Sequence, residues 1–261
     1  MTTPRTPPLL DPYLTLPPEA SLVLLTSVLG ATTNWLVLRH LHSLLAPGSS
    51  GNDGSSPGGG STTATAVVLA SYMRDLAFWR DGAARLGVDL EALGMRGRFA
   101  FVDGLGGGGR GRGRDAAGDV GRAVDSLLGA GAERVVLVVD QVDLMLAAAG
   151  GEMSWGDVRE MLMGLREKVH ALILTLSADE PLVSSQTTTL EKEHAALVLS
   201  AAHEAEMVMS LRLLDTGTAK DVSGVIRITR GGAESERSIE EREYLYHVVG
   251  DGGVRVFERG Q

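Results

Sequence analysis

Five apolar runs of strand length recur along this chain, over residues 21–26, 65–71, 98–103, 134–140 and 171–177, and most are followed by a stretch with helical spacing. An unbroken run of β-branched residues and leucine has no polar face, so each such strand must be buried on both sides. Alternation of buried strands with helices predicts a mostly parallel central sheet with helices on both faces, an α/β three-layer arrangement. Helices are expected over residues 34–45, 75–86, 119–128, 155–169 and 188–205. Past residue 207 the pattern changes to short apolar segments at 207–214, 224–229, 244–249 and 254–257, separated by glycine and acidic turns, which predicts antiparallel C-terminal strands.

With 261 residues and 44% apolar content the chain can bury one large core, and a single domain is expected over residues 19–261. Residues 1–18 are proline-rich with one base, Arg5, and no continuous apolar run; a flexible leader is expected there. Residues 47–63 are mostly serine and glycine, and residues 104–118 are glycine with Arg110, Arg112 and Arg114. Neither can offset the entropy of ordering by apolar burial, so both are expected to be flexible inserts at loop positions. No apolar stretch approaches the ~18 residues needed to cross a bilayer, so no membrane association is expected.

The formal charge of −9 repels phosphate backbones at long range, which argues against an autonomous nucleic-acid binder and leaves room only for a local basic patch. Cysteine is absent, which removes disulfides, thiolate catalysis and cysteine-based metal sites. His40 with His42, and His194 with His203, lack the i, i+4 helical spacing of a zinc motif; no metal site is expected.

The run Arg134-Val-Val-Leu-Val-Val-Asp140 closes on an acid. In a nucleotide-hydrolysing α/β domain, an acid at the C-terminal end of a buried strand holds magnesium. The partner element would be a phosphate-cradling loop between the first strand and the first long helix, where the chain reads Ser27-Val-Leu-Gly-Ala-Thr-Thr-Asn34. Against G-x-x-x-x-G-K-[ST], Ser27 and Thr32 stand where the two glycines belong, Thr33 where the lysine belongs and Asn34 where the hydroxyl belongs. The scaffold is that of an ATPase, and the grip on phosphate is missing.

Several phrases spread through the chain resemble the sixth subunit of the Elongator complex: Leu24-Leu-Thr-Ser-Val-Leu-Gly-Ala-Thr-Thr-Asn-Trp-Leu36, Ser71-Tyr-Met-Arg-Asp-Leu-Ala-Phe-Trp-Arg80, Phe99-Ala-Phe-Val-Asp-Gly-Leu105, Val138-Val-Asp-Gln141 and Asp215-Thr-Gly-Thr-Ala-Lys-Asp-Val-Ser-Gly-Val225. That resemblance implies a RecA-like fold without a phosphate-binding signature. It implies alternation with the fourth and fifth Elongator subunits in a heterohexameric ring, association with the catalytic Elongator subunits, tRNA binding and support of wobble-uridine (U34) modification. It further implies a cytoplasmic protein that is also nuclear, with no resident cofactor and ATP–magnesium confined to interfaces between ring subunits.

Each candidate residue also has a plainer reading. Asp140 is a magnesium acid, with Asp143 as a second acid, or a strand-end carboxylate that caps the next turn or pairs with a neighbour; with no cradle opposite, the plainer reading is preferred. Thr32, Thr33 and Asn34 are remnants of a nucleotide site, or simply good residues for starting a helix. Arg110, Arg112 and Arg114 are the one concentrated basic run, able to reach a tRNA backbone or to stay in solvent. Phe78 and Trp79 diverge by about 100° on a helix, so one packs inward and the other is free to anchor a subunit interface. Ser177 falls where such ATPases place a polar sensor. The function expected is that of a non-catalytic ring subunit; the alternatives are a divergent ATPase completed between protomers, with Asp140 as the magnesium acid and Arg212 or Arg227 serving a neighbour, and a RecA-like recombination adaptor.

Overall fold

The computed structural model describes residues 6–46, 65–104, 112–214, 221–234, 238–250 and 252–259. They build one sheet of nine strands: β1 (Ser21–Ser27), β2 (Thr65–Ser71), β3 (Phe99–Asp103), β4 (Arg134–Asp140), β5 (Ala171–Ser177), β6 (Met207–Arg212), β7 (Gly224–Arg230), β8 (Arg242–Val248) and β9 (Val254–Phe257). Their order is β3-β2-β4-β5-β1-β6-β7-β8-β9. Strands β1 to β6 pair in parallel and β6 to β9 antiparallel. The expected antiparallel block thus begins one strand later than the pattern change at residue 207 predicts. Strand β6 follows a 16-residue helix, a connection long enough for a crossover, and so it lies parallel beside β1.

One face of the sheet carries α1 (Asn34–Leu45), α2 (Leu76–Arg85) and α3 (Leu90–Met95), with Trp35, Leu36, Leu41, Trp79 and Leu90 packed on Val23, Leu25, Val67, Val136 and Ile173. The other carries α4 (Arg112–Gly129), α5 (Leu144–Ala148), α6 (Trp155–Arg166) and α8 (Thr189–Glu204), with Val124, Met145, Leu162 and Leu197 packed on Leu24, Val68, Leu137 and Leu174. The two clusters take alternate residues of the same strands, which is why those strands read as continuous apolar runs. Helix starts follow local chemistry. The Asp75 carboxylate accepts the Phe78 N–H at 2.9 Å, and α6 and α8 open on reciprocal boxes, Ser154 with Asp157 and Thr188 with Glu191. Main-chain N–H groups of Thr188 and Thr187 hold the Glu191 carboxyl down at about 2.

Two expectations need correction. The proline-rich leader is ordered over its described part: Pro8–Tyr13 forms a 3-10 helix, with Leu10, Tyr13 and Leu14 buried against the sheet and the Tyr13 hydroxyl donating to the Glu240 carbonyl at 2.8 Å. Proline presets the φ of a tight helix, and three large side chains bury enough apolar area to hold it. The second insert is shorter than expected, because its stretch from Arg112 onward belongs to α4, extended from the turns anchored by Val120 and Val124. Residues 47–63 and 105–111 of the two inserts lie outside the described residues. Three short helices, α3, α5 and α7 (Glu180–Ser184), add to those expected. Among the described residues, no helix is long and apolar enough to cross a membrane.

Candidate functional site

The turn between β1 and α1 is closed on itself. The Val28 N–H donates to the Leu211 carbonyl at 3.3 Å, and the Ala31 N–H to the Val28 carbonyl at 2.9 Å. The Leu29 N–H donates to the Asp179 carboxylate at 2.6 Å, and the Asn34 N–H to the Thr32 hydroxyl at 3.2 Å. Gly30 turns at φ 91°, with the Leu213 side chain lying 3.1 Å from where a Cβ would project. A phosphate cradle works by aiming main-chain N–H groups at an anion. Here four such donors of residues 28–34 already have partners within the protein. Thr33 occupies the N-cap position of α1 and is buried, but its side chain makes no capping bond; the neighbouring Thr32 hydroxyl holds the entry instead.

Asp140 ends β4 and points to the face that carries α1, in step with Val136 and Val138. Register sets its depth. It lies opposite Ser71 on β2 and one residue past the pairing of Val139 with Leu174, hence level with Thr175 and, through β5, with Leu25. That is two residues, ~7 Å, below the level of Ser27, and with β5 intervening ~10 Å sideways from β1. The carboxylate is fully buried. Ser71 donates to one oxygen at 2.8 Å and Thr175 to the other at 3.0 Å. Burial raises its pKa above the ordinary carboxylate value; the Ser71 and Thr175 hydrogen bonds oppose that rise, and the Asp143 charge adds to it.

Behind Asp140 the chain turns at Gln141, which has φ 55°, a left-handed conformation unusual for a residue with a side chain. The turn is held by the Gln141 N–H donating to Thr175 Oγ1 at 2.8 Å and by the Ser177 hydroxyl donating to Gln141 Oε1 at 3.1 Å. The next acid, Asp143, accepts the Ser177 N–H at 3.3 Å and stands 3.8 Å from His194 Nδ1. Burial raises the Asp143 pKa, with His194 acting the other way. Ser177, His194 and Asp143 are the residue types of a hydrolytic triad without its wiring: His194 Nε2 lies 2.9 Å from the Ser177 main-chain carbonyl, and the serine hydroxyl points to Gln141. Among the described residues the His194 ring nitrogens are directed to a main-chain carbonyl and to Asp143, and not to the serine hydroxyl.

No family model matches the sequence, and no curated protein matches it. Among solved structures the chain is similar to a KaiC-like protein from the hyperthermophilic archaeon Pyrococcus horikoshii OT3, with a TM-score of 0.61 at 18% identity over 92% of this chain and 90% of that one. The fold is RecA-like. At that identity the likeness concerns the path of the backbone and leaves the site chemistry to the side chains present here.

Within this RecA-like frame the remaining candidates separate. Trp79 is fully buried and Phe78 is 37% exposed, ring centroids 5.2 Å apart and edge-to-face, with the Arg74 guanidinium 5.0 Å above the Phe78 ring. Arg212 bonds Glu243 at 3.2 Å, and Arg227 is exposed on β7, opposite Glu243. Arg110 lies outside the described residues, as do the side chains of Arg112 and Arg114 in the first turn of α4. A groove of about 660 Å³ between α4 and α6, floored by Gly121, Met161 and Leu165, opens on the face opposite the Asp140 carboxylate and adds nothing to this site. Among the described residues, no group of three or more histidines and acids is placed to hold a metal ion.

Sequence reasoning missed Ser71, Thr175, Gln141 and Asp179, and weighed His194 only as a zinc ligand. Thr175 had a visible signal, a hydroxyl inside the apolar run Ala-Leu-Ile-Leu-Thr-Leu-Ser. Such a group must find a buried partner. Asp179 had none, because its partner Leu29 is 150 residues away.

Proposed function

We propose that this chain is a non-catalytic, RecA-like subunit of the Elongator accessory ring, docked between the fourth and fifth Elongator subunits and supporting tRNA binding and wobble-uridine modification by the catalytic subunits. The observation that carries the reading is the closure of both halves of the would-be nucleotide site. Four main-chain donors of the β1–α1 loop, those of residues 28, 29, 31 and 34, are spent on Leu211, Asp179, Val28 and Thr32, and both Asp140 oxygens are held by hydroxyls. Hydrolysis of a nucleotide triphosphate depends on positioning and neutralising its phosphates, and no lysine stands in the loop to do so. The family phrases at residues 24–36, 71–80 and 138–141 cover the turns where that site is closed, and they supply the assignment to Elongator.

Co-expression with the fourth and fifth Elongator subunits tests it by mass. The expected product is a ring holding this chain in alternation with the other two. A stable lone monomer left out of that ring, or steady ATP turnover by the isolated chain, overturns the reading.

A further inference from the structure

The residue that closes the β1–α1 loop from outside is Asp179. It stands at the N-cap of α7, a position aspartate favours because its carboxylate can accept N–H groups of its own helix. It makes no such bond. Instead its Oδ1 reaches across to the Leu29 N–H at 2.6 Å, and Leu29 is otherwise 86% exposed. The contact is made possible by the pairing of β1 with β5, whose last residues, Ser27 and Ser177, lie side by side, so that both chains leave the sheet at one level. The Ala178 N–H donating to the Ser27 carbonyl at 2.8 Å continues the pairing beyond the strands and carries Asp179 to the base of the loop.

We propose that the Asp179 carboxylate is an intramolecular stand-in for phosphate: it takes a main-chain donor of the loop where an anionic ligand would bind and keeps further anions out by its own charge. Three observations converge on this. The bond is a charge-assisted contact to a main-chain N–H, the chemistry by which such loops hold phosphate oxygens. The acid forgoes its own helix to make it. And the loop is pinned from its other side by Leu211 and covered at Gly30 by Leu213, so the Asp179 contact completes a closed turn. The inference rests on the reading of this loop as a former phosphate cradle and assigns the agent that keeps it shut. Loss of the lysine removes attraction for a phosphate; Asp179 adds repulsion.

The test uses the full chain, with amide exchange followed residue by residue and inorganic pyrophosphate as the anionic probe. In the native chain the Leu29 amide is expected to exchange slowly and the amides of residues 28–31 to ignore pyrophosphate. In Asp179→Ala, Leu29 exchange is expected to quicken at least tenfold, and those amides to shift on titration at low salt. Asp179→Asn keeps an acceptor oxygen without the charge, so Leu29 stays protected and the pyrophosphate response falls between the other two. Equal Leu29 exchange in the native and alanine chains overturns the proposal, as does an equal pyrophosphate response in all three. Neither result touches ring assembly, whereas exclusion from the ring sinks the functional reading and leaves the Leu29 data standing.

Discussion

The Thr175 hydroxyl links the main chain to the buried carboxylate of Asp140: it accepts the Gln141 N–H at 2.8 Å and donates to Asp140 Oδ1 at 3.0 Å. One side chain on β5 thus fixes both the acid that ends β4 and the left-handed turn that follows. Thr175→Val preserves shape and strips both bonds, together with the longer contact from Gln141 Nε2 at 3.4 Å, leaving a buried N–H and a buried carboxylate oxygen without these partners. Each such group costs about 1–3 kcal/mol, so the variant is expected to lose at least that in urea unfolding, while Thr175→Ser stays within about 1 kcal/mol of the native chain. Equal midpoints for the valine and serine variants would show that the bonds contribute nothing.

Phe78 and Trp79 are neighbours with opposite fates. Trp79 is wholly enclosed beneath α2, and Trp79→Ala is expected to cost about 3–5 kcal/mol. Phe78 stands at the surface under Arg74, and Phe78→Ala is expected to cost at most about 1.5 kcal/mol. Under the ring proposal the order reverses for assembly: Phe78→Ala folds yet enters the ring poorly. Normal ring yield with that variant removes Phe78 from the interface.

The N-terminal 3-10 helix offers a test of what composition concealed. Leu10→Ala is expected to lower stability by about 2–5 kcal/mol, as for any enclosed leucine, and Tyr13→Phe by about 0.5–1.5 kcal/mol through the lost bond to Glu240. A Leu10→Ala chain that unfolds at the native urea midpoint would return this segment to a dispensable leader.

Strands β2, β4 and β5 were legible to the residue, because short runs dominated by apolar residues, without a regular polar face, permit only a doubly covered strand. Helix α1 was legible for the same kind of reason, a clear apolar stripe after a threonine pair. Helices α3, α5 and α7 were not, since five or six residues do not complete two turns and give no period to detect. The leader was misread because proline content signals an absence of long helix and says nothing of a few leucines finding a sheet. In the site, loss of the lysine and glycines was plain from spacing. The pairing of Ser71 and Thr175 with Asp140 was hidden even where a hydroxyl stood out, as Thr175 does in its apolar run, since both meet the acid only through strand register.

His40 gives the pH test. It sits on α1 with no exposed surface, and neither ring nitrogen has a hydrogen-bond partner among the described residues; burial lowers its pKa from 6.5 to about 4. Below 6.5 the unfolded chain takes up a proton that the folded one refuses. The stability His40 provides is therefore complete above 6.5 and lost as pH falls through about 4. A shift of that size corresponds to on the order of 3 kcal/mol at the acid end. Asp140 works in the opposite sense. Its raised folded pKa means the folded chain holds the proton longer than the unfolded one, so stability declines as pH rises from the ordinary carboxylate value through the raised one. His40→Leu removes the first contribution and leaves the second. Its melting temperature should exceed that of the native chain by a margin that widens steadily from pH 7 to pH 4.5, the two unpartnered ring nitrogens adding a constant gain throughout. Melting curves that stay parallel over that range would show that His40 finds a partner for its proton in the folded state.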